Sequence, residues 1–149
     1  MLSAKLIRLI ETHEEKIGAC ILREIRRDPS LSHLARLPEA ELRERCREIL
    51  QNLDEWLLGH EEKIQHQYEN IGKSRYRNSV PLHESIQGLC LIKYAMIDFI
   101  HEHEIDPDFL ELYAEEELES RVQKFFDLLV VHLARGYERE WRSTFIAAA

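Results

Sequence analysis

Eight histidines and 28 acidic residues raise metal chemistry as the first possibility. A carboxylate-bridged di-iron site in a helical bundle needs Glu-x-x-His on two helices. No Glu-x-x-His occurs here, and Asp98-x-x-His101 is a single analogue. Glu62 and His66 lie one helical turn apart, but on the most polar segment of the chain. His101 and His103 alternate, so on a helix they point about 200° apart. Surface patches explain these groups better than a metal site. A haem needs an axial ligand facing an apolar pocket. His132 lies inside a strongly apolar stretch and is the best placed; His13, on the apolar face of the first helix, is second. A lone histidine on such a face is ordinarily a hydrogen-bonded core residue. The sequence holds no nucleophile elbow and no glycine-rich phosphate loop. The expectation is a protein that is not an enzyme and carries no cofactor or metal.

Cys20, Cys46 and Cys90 are too widely spaced for a zinc ribbon or a dithiol motif. Each falls in an apolar stretch, so all three read as small core hydrophobes, reduced in a cytoplasm. The most suggestive polar feature is basic. Lys73, Arg75 and Arg77 place three cations within five residues, with Tyr68 and Tyr76 near. Together they could hold an anion or an acidic partner segment, or complement a helix C-terminus. Arg75 is expected to be structurally tied, by pairing a carboxylate or the start of the next helix.

The elements that must position these groups are all helices. Leu6, Ile10, Ile17, Ile21 and Ile25 recur at helical spacing, which predicts a first helix from Leu2 to Arg27. Asp28-Pro29 stops it, and Asp28 then caps a short turn through Leu31 and Leu34. Pro38 opens a second helix whose stripe is Leu42, Cys46, Ile49, Leu50, Leu53 and Leu57, ended by Gly59. A third spans His60 to Tyr76, with Ile64, Tyr68 and Ile71 on one face. A turn with Asn78 in the left-handed conformation leads to Pro81 and a fourth helix, reaching Glu104. From Leu89 to Ile100 that helix is apolar nearly all round, as is the last helix between Phe125 and Ala134. Asp106-Pro107 marks a short linker before the last helix, which ends near Phe145. No period-two alternation occurs, so no sheet is predicted. The pattern is a single all-α domain over 1–149: about five main helices, two of them central and buried, with spare apolar surface for a thick core or a dimer contact.

The chain has 149 residues, enough to bury a real core. A net charge of −8 argues against nucleic acid as the main partner. The N-terminus, broken by Lys5 and Arg8, is not a signal peptide, and no run approaches a membrane span. A cytoplasmic location is expected.

The stretch from Ile71 to Glu84 resembles the N-terminal sensory domain of RsbT co-antagonist (RsbRD-type) stressosome proteins. The matching residues are Gly72, Arg75, Val80, Pro81 and Leu82, with Asn78 where that family commonly has Gly. The opening from Ile25 to Leu31, followed by Glu41-Leu42 and Ile49-Leu50, is similar too. The resemblance implies a globin-like fold without haem and a role in bacterial signal input. It makes Gly72, Asn78 and Pro81 a structural turn. It also implies a last helix running into a homodimeric linker and an output domain, so either this chain stands alone or an output domain follows it. Candidate ligand- or partner-binding residues are Tyr68, Lys73, Arg75, Arg77 and His132. The alternative is a haem- or metal-binding globin-like sensor.

Overall fold

The computed structural model describes residues 2–51, 53, 61–102 and 109–148, with side chains described over 7–51, 53, 62–102 and 116–147. Leu57, Gly59, His60, His103, Asp106 and Pro107 lie outside the described residues, as does the side chain of Leu6. Helix follows helix: α1 (Leu2–Thr12), α2 (Glu14–Arg27), a 3-10 turn (Pro29–Leu31), α3 (Ser32–Ala35), α4 (Glu39–Gln51), α5 (Glu61–Arg77), α6 (Leu82–Glu102) and α7 (Phe109–Ala148). Among the described residues there is no strand, and no helix is long and apolar enough to cross a membrane. The all-α expectation stands.

The predicted first helix is in fact two. At His13 the backbone leaves the helical region, with φ −100° and ψ 18°. The cause is local competition for one carbonyl. The His13 Nδ1–H donates to the Leu9 oxygen at 2.8 Å, while the His13 backbone N–H divides between Leu9 and Ile10 at 3.1 and 3.2 Å. Side-chain bonding back to the preceding turn bends a helix in this way. The bend lays the ring against Phe99, with centroids 5.5 Å apart, and so ties α2 to α6. Beyond Arg27 the chain behaves as read. Asp28 Oδ1 accepts from the Ser30 N–H at 2.9 Å and caps the turn that buries Leu31 and Leu34.

The stripe on α4 is buried at Leu42, Cys46, Ile49 and Leu50, and Leu53 beyond it is fully enclosed. These meet Ile21, Leu22 and Ile25 of α2, and Leu89, Ile92 and Met96 of α6 join the same continuous core. Two expectations about burial are corrected. Helices α6 and α7 are not enclosed all round: Tyr94 is 56% exposed and Val131 47%. Of the cysteines only Cys46 is buried; Cys20 is exposed and Cys90 half-buried. Cys20 follows Ile17 by three residues and precedes Ile21 by one, which places it just past the edge of the α2 apolar stripe.

Candidate functional site

The most extensive helix–helix contact is between α5 and α7, not between α6 and α7. Helix α5 is polar in composition, yet it buries Ile64, Tyr68, Glu69, Ile71, Gly72 and Arg75. Two glycines explain the closeness. A Cβ on Gly72 would lie 3.0 Å from the Gly136 Cα and would run into the Leu133 carbonyl. A Cβ on Gly136 would run into the Glu69 carbonyl. Gly72 is therefore not part of the turn, as the sequence suggested. It sits inside α5, where the absence of a side chain lets two helix backbones touch.

Charge brackets this crossing. Glu69 is 3% exposed and accepts from Arg139 Nη1 at 2.6 Å and from Gln65 at 3.2 Å. Arg77 forks onto Glu140 with bonds of 2.8 and 3.2 Å. That hydrogen bond raises the Arg77 pKa and lowers that of Glu140.

The turn after α5 ends the helix in a Schellman arrangement. The Val80 N–H donates to the Arg75 carbonyl and the Ser79 N–H to that of Tyr76, both at 3.0 Å. Ser79, with φ 59°, takes the left-handed position expected of Asn78. The helix runs one residue further than read, since the Asn78 N–H still donates to Ser74 at 3.0 Å. Tyr137 of α7 fastens this turn to α6. Its hydroxyl donates to the Val80 carbonyl at 2.8 Å and lies 2.7 Å from Ser85 Oγ. Pro81 immediately precedes α6, where the sequence predicts a helix start, its carbonyl accepting from the Glu84 N–H at 3.1 Å.

The three cations read as one basic knot are split by helix geometry. Residues two apart on a helix point about 200° from each other, while residues four apart share a side. Arg77 therefore faces outward to Glu140, with Lys73 on that side adding to the charge that Glu140 feels. Arg75 points the other way, into the core beside Tyr68, and is only 6% exposed. Of the two ties expected for Arg75, a carboxylate or the start of the next helix, the first is not found: among the described residues its side chain forms no ion pair, and its Nη1 has no hydrogen-bond partner. Its backbone carbonyl is the part bonded to the turn that leads into α6. Burial lowers its pKa, partly offset by Glu41. Tyr68, equally buried, has its phenol pKa pushed far above the ordinary value by desolvation and stays protonated.

Arg75 lines a chamber of about 50 Å³ among α2, α4, α5 and α6, with Leu34 of α3 and Leu133 of α7 completing the wall. Its walls are chiefly aliphatic, with Leu42, Ile49, Leu89 and Ile92 prominent, and Arg45, Cys46, Tyr68 and Ser85 at intervals. An outer pocket of about 160 Å³, lined by Glu41, Gln67, Asn70 and Ser74, shares Arg45 and Ile71 with it. His132 is buried on α7 but does not line the chamber, and neither does His13. His13 lines instead an open, polar groove with Thr12, Glu14, Lys16 and Gln51. Among the described residues no three histidine, cysteine or acidic side chains gather as a metal site. Glu62, His66 and Asp98 are exposed, and exposed His101 meets Glu119 at 3.1 Å.

No family model matches this chain, and neither a curated protein nor a solved structure is significantly similar to it.

Sequence reasoning missed Gly136, Glu69 and Glu84, and placed Tyr137 on the apolar stripe of the last helix, where it is buried, without its hydroxyl's role. Gly136 had a legible signal, since glycine inside a long helix is costly without a packing reason. Glu69 and Glu84 had none, because a buried acid and a solvated one look alike in one dimension.

Proposed function

We propose that this is a non-enzymatic signal-input domain, globin-like and cytoplasmic, of the kind that serves bacterial stress signalling. It passes its state to a partner or an output domain through α7, as a homodimer. The observation that carries this reading is the course of α7. The helix has 40 residues and is about 60 Å long. Leu118 to Tyr137 anchor it in the core, whereas residues 141–147 are all exposed. That exposed end carries large apolar side chains among Arg142, Ser143 and Thr144. Trp141, Phe145 and Ile146 are 54, 66 and 73% exposed, and the two aromatic rings stack with centroids 5.8 Å apart. A helix welded to the core at one end and apolar in solvent at the other couples core packing to whatever it meets.

Size-exclusion chromatography with light scattering tests this. A dimer is expected, reduced to monomer by F145E combined with I146E without loss of thermal stability. A protein that stays monomeric at hundreds of micromolar overturns the proposal.

A further inference from the structure

A guanidinium is always charged and brings five N–H donors. Burying one beside aliphatic walls without an acceptor is costly, so such a group is ordinarily paired. Arg75 breaks that rule at Nη1, 94% removed from solvent and facing a chamber. A second guanidinium, Arg45, lines the same chamber, with its charge directed to Glu48 at 3.0 Å. Among the described residues no carboxylate lines the chamber itself; Glu41 belongs to the outer pocket. The space is thus positive where Arg75 and Arg45 face it and chiefly hydrocarbon elsewhere, with Tyr68 and Ser85 its neutral polar groups.

We propose that the chamber is a binding site for a short aliphatic monocarboxylate, its carboxylate on Arg75 Nη1 and its hydrocarbon tail against Leu42, Ile49, Leu89 and Ile92. The match is one of both halves. The carboxylate supplies the acceptor that Arg75 lacks, in a charge-assisted bond made stronger by the dry surroundings. The tail covers walls that an inorganic anion would leave unmatched. Size sets the length. One water needs about 10–15 Å³ of such space, so about 50 Å³ admits about three to five water-sized groups. Acetate, propionate and butyrate fall in or near that range, and long-chain acids do not. The outer pocket gives the route, with Arg45 common to both spaces. This assignment names the signal for the proposed sensory role and rests on that reading for its biological meaning alone.

Calorimetry and thermal unfolding with sodium propionate, against sodium chloride at equal ionic strength, test the assignment. Saturable binding is expected, with a rise in Tm of about 5–10 °C at a hundredfold excess over Kd. R75M should abolish it. L89F, which fills the chamber and keeps the guanidinium, should abolish it too, and decides the matter if R75M does not fold. An equal response to chloride, undiminished binding in L89F or in a folded R75M, or no binding at millimolar propionate each overturns the site. The sensory reading fails separately. Propionate bound by a protein that remains monomeric leaves the site and removes the proposed output, whereas a dimer indifferent to propionate does the reverse.

Discussion

Gly72 and Gly136 face each other across the crossing of α5 and α7, so near that a Cβ on the first would stand 3.0 Å from the Cα of the second. The crossing brings Glu69 to Arg139, Arg77 to Glu140 and the Tyr137 hydroxyl to the Val80 carbonyl. It also fixes the rotation of α5 about its axis, and with it which way Arg75 points.

Alanine at either glycine should therefore destabilise, although alanine is the better helix former. The propensity gain is about 1 kcal/mol, while overpacking against immovable backbone costs about 1–3 kcal/mol or more. Gly18→Ala is the internal control. Its Cβ would crowd only the end of the Arg43 side chain, which can swing aside at the loss of one surface hydrogen bond to the Glu15 carbonyl, and would meet the Cys46 Cβ at an ordinary 3.8 Å. Urea unfolding should place G72A and G136A below the parent and G18A level with it or above. Three equal results would mean that the crossing is not tight.

Acid should weaken the protein through Glu84. This carboxylate is 2% exposed and receives the Leu34 N–H and His33 Nδ1, each at 2.8 Å. Burial alone would raise its pKa, but those hydrogen bonds outweigh it and hold the group below the ordinary 4.5. A carboxyl with a lowered folded-state pKa adds stability above its unfolded value and forfeits it as pH falls through the folded one. The acid limb of stability against pH should thus steepen below about 4.5, and Glu84→Gln should flatten it. Thermal melts between pH 3 and 7 read this directly. An identical acid limb in the variant would assign the loss to other carboxylates.

The three thiols should separate in reactivity. Cys20 is exposed and Cys90 half-buried. The Cys46 thiol is pushed up to about 11 by burial, partly opposed by Arg43 and Arg75. At pH 8 about one Cys46 in a thousand is thiolate, and it is shielded as well. Titration of the native protein with Ellman's reagent should show Cys20 fast, Cys90 slower and Cys46 silent until unfolding. Rapid labelling of all three would show the core open on that timescale.

The helical class was legible because it rests on periodicity. The Leu42–Cys46–Ile49–Leu50–Leu53 stripe, the Asp28-Pro29 stop and the Pro81 start are local patterns, and each lies where local chemistry demands it. The bend at His13 was not legible. It arises from a side chain competing with backbone for the Leu9 carbonyl, and many histidines sit within helices without doing so.

What the sequence by itself determined about this protein is which segments are helical and which side of each is apolar. Tertiary structure alone decided what the polar residues do. Lys73, Arg75 and Arg77 read as one cluster because they are adjacent in the chain, but the helix turns about 100° per residue, and docking against α7 sends Arg75 inward and Arg77 outward. Burial of a charge is a property of the partner surface. That surface is built by Gly136, which is 64 residues from Gly72 in sequence and in contact with it in space.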